Sequence, residues 1–202
     1  SKQLNNYEKY KPDFQSFPAA EGYVMPYGDS PTDNENVGEL VYLDIINKAK
    51  KYVYITTPYL VIDNEMITAL GFAAKSGVDV KIVVPHIADK WYVNYAGWNY
   101  YKELIKLGVQ IYEYMPGFIH AKNFVSDDEI ATVGSINLDY RSLYLHFECG
   151  TFLYKVPAIS RIKSDFNDIL GKCRRITLKD CQQRPLIKKI IGGLLRMIAP
   201  LL

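Results

Sequence analysis

The sequence predicts an α/β protein, a central mixed and largely parallel sheet covered by helices on both faces, and three observations carry that expectation. Short β-branched and aromatic runs alternate with longer amphipathic ones from Val37 to Leu170. Prolines and glycines fall at the joints, with Pro58 and Pro85 after strand-like runs and Gly77 and Gly108 after helix-like ones. The 202 residues, 49% of them hydrophobic, are enough to fill one core between two such layers.

Taken in order, residues 1–35 are rich in Asn, Pro, Gly, Tyr and charge and read as a linker or arm. They hold one short extended candidate, Gly22 to Tyr27, and a loop from Asp29 to Asn36. From Val37 to Lys51, Leu40, Leu43, Ile45, Ile46 and Ala49 fit one helical face. Tyr52 to Thr56 reads as a buried strand stopped by Thr57-Pro58. Asp63 caps a helix from Asn64 to Lys75, and Val78 to Val84 is the next strand. A helix over roughly Lys90 to Leu107 leads to a strand from Val109 to Tyr114. Further strands are expected at Phe118 to Val125, Ile130 to Val133 and Cys149 to Tyr154, and a helix at Ala158 to Leu170. There is no internal repeat.

Composition excludes several classes. No run approaches the roughly 18 apolar residues that cross a bilayer as a helix, and the first residues are too polar for a secretory signal. The sequence starts without Met, as a processed protein or a piece of a longer one does. Cys149, Cys173 and Cys181 lack metal-ligand spacing and read as buried or free thiols, so neither metal nor cofactor is implied. Net charge is +2 but uneven: residues 1–154 hold 13 Lys+Arg against 19 Asp+Glu, residues 155–202 hold 11 against 3. The basic end points to an anionic partner, a membrane surface or nucleic acid. Within it, Leu186, Ile187, Ile190, Ile191, Leu194, Leu195 and Ile198 form one stripe with Lys188, Lys189 and Arg196 off it. That pattern suits either an interfacial helix or a terminal helix packed on the domain, and Gly192-Gly193 weakens it in isolation.

Chemistry concentrates between Pro116 and Gly150. On a strand from Phe118, His120 and Lys122 share a face about 6 to 7 Å apart along the chain. Imidazole suits a nucleophile or proton carrier near neutral pH, and a lysine ammonium suits phosphate oxygens, so the pair points to phosphoryl chemistry. Asp127 lies in a turn-like Ser126 to Glu129 segment. Gly134, Ser135 and Asn137 follow where small residues let backbone and side chain approach an anion. His86 and His146 are also present. His86 reads as a loop residue or a cleft residue, His146 as packing or support for the site. The aromatics from Trp91 to Tyr101 suit either core or a lipid-facing cleft.

His120-x-Lys122-x4-Asp127, followed six residues later by Gly134-Ser135-x-Asn137, resembles the HKD signature of the phospholipase D superfamily. The flanks YVYITTPYL, VDVKIVVPHIADKW, IYEYMPGFIHAKNFV and INLDYRSLYLHFECG resemble the carboxyl-terminal half of bacterial cardiolipin synthases. The resemblance covers roughly Gly22 onward and implies an α/β/α sandwich. It makes residues 36–180 a half-domain with one HKD motif and 181–202 a basic amphipathic tail. The activity it implies is transfer of a phosphatidyl group between two phosphatidylglycerol molecules, releasing glycerol without metal. It makes His120 the attacking nucleophile or, alternatively, the proton carrier, with Lys122, Asn137 and Ser135 on the phosphate oxygens. Asp127 is then mainly structural and Glu148 orients the histidine. Two HKD motifs meet at one site in that family, and only one is present here. The resemblance therefore implies a second motif, from a longer chain or from a homodimer partner, and general acid help worth about 10² to 10⁴ in rate. Tail and family together imply association with the cytoplasmic face of the cell membrane, phosphatidylglycerol or another anionic phospholipid as ligand, and no role for nucleic acid. The alternatives are a dimeric metal-independent phosphodiesterase or nuclease and an inactive half-domain that binds membrane.

Overall fold

In the computed structural model, residue 11 and residues 20–201 are described; most of the expected N-terminal arm lies outside them. The chain runs β1 (Tyr23–Asp29), α1 (Val37–Lys48), β2 (Tyr52–Thr56), β3 (Leu60–Val61), α2 (Asn64–Lys75), β4 (Asp79–Pro85), α3 (Trp91–Leu107) and β5 (Gln110–Tyr114). Then come β6 (Asn123–Ser126), β7 (Ile130–Gly134), β8 (Leu138–Asp139), a π-helical turn (Arg141–Leu145), β9 (Glu148–Tyr154), α4 (Ala158–Leu170), β10 (Cys173–Ile176), α5 (Leu178–Gln183) and α6 (Leu186–Met197). A 3-10 turn, Ala199–Leu201, ends the described chain.

Eight strands form one sheet in the order β1-β9-β7-β6-β2-β4-β5-β10, and β3 pairs with β8 alongside. The sheet is mixed, as expected. Parallel pairing within it is confined to β2, β4 and β5, where helices α2 and α3 make the crossovers, and the other neighbours are antiparallel. Alternation along β2 separates the two faces. Val53 and Ile55 join the large core under α1, α2 and α3, whereas Tyr52 packs with Val125, Ala131, Leu153 and Ile159 under α4. Tyr54 stacks on Phe166 of α4 at 4.9 Å.

Three expectations are corrected, and two elements are found that the sequence did not announce. The strand expected from Phe118 begins only at Asn123. Its partner β2 ends at Thr56, paired with Asn123, and Pro58, which has no N–H, takes the chain away, so residues 118–122 have no ladder to join. The extended segment expected at Gly22 is more than an arm: β1 pairs along all of β9, and Asp29 at its end accepts from the N–H groups of Val37 (3.2 Å) and Gly38 (2.7 Å), capping α1. On α1 the buried stripe is Tyr42, Ile45 and Ile46, with Leu40 exposed. The strand β10 and helix α5 have short, charged sequences, CRRI and LKDCQQ, that carry no periodicity to announce them.

The tail packs on the domain with its stripe turned outward. Gly192 meets the carbonyl of Tyr95, where a Cβ would overlap it, and so lets α6 approach α3. Lys188 lies over the rings of Tyr95 and Trp98, and Arg196 over Tyr100 while pairing with Glu103 at 2.7 Å. Leu186, Ile187, Ile190, Leu194, Met197 and Ile198 are exposed. Of the α3 aromatics, Tyr100 and Tyr101 are core, and Trp91 stands out in solvent.

One contact sets the β6–β7 hairpin. Asp127 and Asp128 have φ of 55° and 62°, left-handed values that short polar side chains tolerate, in a three-residue loop whose Glu129 N–H bonds Ser126 O at 3.0 Å. The Asp127 carboxylate accepts from the backbone N–H groups of Lys50 (2.7 Å), Lys51 (2.9 Å) and Tyr52 (2.9 Å). Asp127→Ala is expected to lower the unfolding free energy by about 3 kcal/mol, the scale of bonds to a charged acceptor. Asp127→Asn, which keeps the left-handed turn and part of the bonding, should lose about half of that. Urea denaturation of the two variants checks it; equal stability of wild type and Asp127→Ala would contradict it.

Candidate active site

The sequence-predicted residues converge because they lie at one end of three neighbouring strands. His120 and Lys122 precede β6, Ser135 and Asn137 follow β7, and Glu148 opens β9. The ladder joins them: the Gly134 N–H meets Lys122 O at 3.3 Å, and the Ser135 N–H meets Cys149 O at 2.9 Å. Gly134 faces Gly150 across β7 and β9, and a Cβ on Gly134 would overlap the Cys149 carbonyl. Beyond it, Tyr42 donates to Ile136 O at 2.6 Å and the Leu138 N–H to Thr57 Oγ1 at 3.1 Å, pinning the 135–138 segment to α1 and to the end of β2.

Glu148 is the centre of the polar network. Its side chain is 8% exposed, and its two oxygens accept from Ser135 Oγ and, at 2.9 Å, from Ser142 Oγ. Because Ser142 gives its proton to Glu148, its oxygen is the acceptor for Asn137 Nδ2 at 2.9 Å, which fixes the amide orientation. Ser135 likewise gives its proton to Glu148 and accepts from the Cys149 N–H at 3.0 Å. Ser135 thus gives its hydroxyl proton to Glu148, and Glu148 makes no hydrogen bond to His120 among the described residues. The imidazole nearest Glu148 is instead His146, with Nδ1 3.8 Å from Oε1.

His120 is exposed, its ring 5.5 Å from that of Phe118. Lys122 donates to His120 O at 2.6 Å. Partial burial lowers the His120 pKa below the ordinary imidazole value, as do the charges of Lys122 and Lys90, with Asp89 opposing. A lower value favours the neutral ring, which is the nucleophilic form. Burial also lowers the Lys122 pKa, against the carboxylates of Glu148 and Asp139. Asp139, in β8, is buried, which raises its pKa, and it accepts from the Ser142 N–H at 2.8 Å. Beside this network a cavity of about 160 Å³ is lined by Tyr59, Lys90, Asn137, Asp139, Ser142 and His146.

Asp127 stands apart. It lies beyond the far end of β6, seven residues from His120, and so roughly 20 Å along an extended chain from the imidazole. Asp139 and Ser142 were not legible as site residues. Asp139-x-x-Ser142 has the spacing of a side-chain-capped turn, and that was the available signal. His86 binds elsewhere, its Nδ1 2.8 Å from Glu113 Oε2. Among the described residues no group of three or more His, Cys, Asp or Glu forms a metal site.

These charges fix a titration. In an NMR pH series of the three histidines, His120 should titrate below the ordinary imidazole value, and Lys122→Met should move it upward by removing a cation that opposes imidazolium. An unmoved His120 would show that the ammonium does not act on the ring.

Comparison with known proteins then places the chain. The family model described as "Cardiolipin synthase, PLD-like domain" matches residues 42–170. A protein of Streptococcus mutans called uncharacterized is 52% identical over 91% of this chain and 40% of its own length. A cardiolipin synthase of a Geobacillus strain is 37% identical over 90% of this chain and 36% of its own, and one of Clostridium perfringens 40% identical over 80% and 34%. The chain thus spans two fifths or less of the length of these relatives. Among solved structures, the phosphatidylserine synthase of Haemophilus influenzae matches with TM-score 0.73 at 14% identity, over 89% of this chain and 47% of that one. The phospholipase D family member Nuc of Salmonella typhimurium matches with TM-score 0.65 at 21% identity, over 77% of this chain and 99% of that one. Fold, motif and family model agree: this chain belongs to the cardiolipin synthase family of phospholipase D-like domains.

Proposed function

We propose that this chain is the carboxyl-terminal half of a cardiolipin synthase, contributing one HKD half-site to phosphatidyl transfer between two phosphatidylglycerol molecules. The observation that carries the proposal is His120 held beside Lys122 at the end of a β6–β7–β9 ladder that also presents Asn137 and Glu148. In the first step a ring nitrogen of neutral His120 attacks phosphorus, a P–N bond forms, and the P–O bond to the departing glycerol breaks. That alkoxide takes a proton from an acid outside this motif. In the second step a hydroxyl of another phosphatidylglycerol gives its proton back to the same group and attacks phosphorus, the P–N bond breaks, and cardiolipin leaves.

Lys122 and the Asn137 amide are the groups that would hold the non-bridging oxygens, and Glu148 holds Ser135 and Ser142 so that Asn137 keeps its orientation. Asp127 serves the fold and not the reaction. Of the chain's histidines, only His120 is followed two residues later by Lys, so the acid belongs to a second motif, in a longer chain or a second copy. Phe118, Leu145 and Phe147 stand exposed near His120 and His146, an apolar rim suited to such a partner. The outward apolar face of α6 supports a membrane-surface location, which in this reading is the cytoplasmic face.

The test is release of headgroup-labelled glycerol from phosphatidylglycerol in detergent, run on the 202-residue chain after its mass is set by light scattering. A dimer should turn over. A monomer should do so only when the missing half is supplied. His120→Ala should reduce release to background, and Lys122→Ala should cost on the order of 10² to 10³. Release that persists in His120→Ala would overturn the proposal.

A further inference from the structure

A second cleft lies between α3, α5 and the first turn of α6, on the part of the chain that the HKD motif does not use. Its volume is about 270 Å³, its walls carry Lys102, Arg184, Lys188 and Lys189 with the rings of Tyr95 and Trp98, and no carboxylate lines it. Glu113 holds one side of Arg184 at 2.9 Å, but Arg184 Nη1 is buried without a hydrogen-bond partner among the described residues, and so is the indole Nε1 of Trp98. Lys188 faces aromatic rings instead of an acid, and Lys189 among the described residues bonds the Gln182 carbonyl, at 2.5 Å.

The start of α6 sharpens the charge argument. Pro185 leaves its N-terminus without a side-chain cap, its first turn has no acid, and Lys188 and Lys189 are its third and fourth residues. Cations at the positive end of a helix dipole are unfavourable unless an anion joins them. Immediately beside the cleft, the exposed Leu186, Ile187, Ile190 and Leu194 form an apolar face that nothing in the described chain covers.

From this juxtaposition we propose that the α3–α5–α6 cleft binds the phosphate headgroup of an anionic phospholipid in the bilayer on which the apolar face of α6 rests. It is a docking site separate from the His120 site. The headgroup gives Lys102, Lys188 and Lys189, which no acid pairs in the cleft, an anionic partner, and the acyl region takes the apolar face. Choosing a bilayer over free phosphate rests on the proposed phosphatidyl transfer, whereas the anion preference rests on the cleft alone.

The experiment is sedimentation of the 202-residue chain with vesicles of phosphatidylglycerol mixed into phosphatidylcholine, or of phosphatidylcholine alone, with calorimetric titration of inorganic phosphate in parallel. The variants are Lys102→Gln/Lys188→Gln/Lys189→Gln and Ile187→Ser/Leu194→Ser, each checked for an unchanged urea midpoint. Wild type should prefer the anionic vesicles, and salt should weaken that preference. The triple lysine variant should lose on the order of a hundredfold, about fivefold per lysine, and fall to the phosphatidylcholine level. The apolar variant should lose binding to both vesicles. Anionic binding unchanged in the lysine variant overturns the proposal, as does tight inorganic phosphate binding without vesicle binding, or a dimer that buries α6 and ignores vesicles. None of these residues belongs to the His120 site, so glycerol release from detergent-solubilised lipid stays at the wild-type rate in the lysine variant. Failure of docking therefore leaves the proposed reaction standing.

Discussion

The carboxylate of Asp127 binds three consecutive backbone N–H groups at the start of β2, and through that contact the β6–β7 hairpin is locked to the centre of the sheet. The three-residue turn between them fixes which residues of β6 and β7 face each other, and a slip of one residue would exchange the two faces of a strand. The register that follows puts Lys122 against Gly134 and Gly134 against Gly150. His120, Asn137 and Glu148 are neighbours because of that register, although Asp127 is far from all of them. The aspartate of the motif thus acts through backbone geometry, and its spacing from the histidine is the length of one short strand.

At the other end of β6 the physics changes from backbone pairing to buried charge. Glu148 is nearly inaccessible, and a buried carboxylate is tolerable only when its oxygens are satisfied. Ser135 and Ser142 do this, and their protons are committed as a result. Asn137 lines the cavity beside this network, and Lys122 lies apart from it on the His120 carbonyl. Around His120 the cations Lys122 and Lys90 outnumber the single carboxylate Asp89, and with partial burial they hold the ring toward its neutral form.

Much of this was legible in the sequence, and the reasons differ element by element. The helices α2, α3 and α4 and the strands β2, β4 and β5 follow from periodicity and breakers, because each buries one consistent face. His120, Lys122, Ser135 and Asn137 were legible as a cluster from their spacing, and Glu148 only from the family resemblance. What spacing could not carry was who bonds to whom. Ser135 to Glu148 and His146 beside Glu148 depend on side-chain directions at strand ends, which no local pattern encodes. The strand expected from Phe118 failed because pairing is decided by the partner: β2 stops at Thr56, ahead of Pro58. The tail's stripe was read correctly as a stripe, but its direction was set by aromatic rings on α3 that hold Lys188 and Arg196 inward.

The central claim is that His120 is the nucleophile, and it can be tested without the second motif. A phosphatidyl ester of p-nitrophenol has a leaving group that departs as a stable anion and needs no acid, so one half-site suffices for the first step. The account predicts a burst of p-nitrophenolate and, by mass spectrometry after alkaline quench, an acid-labile phosphatidyl adduct on the peptide carrying His120, both lost in His120→Ala. Release with no adduct, or an adduct on His86 or His146, would contradict it.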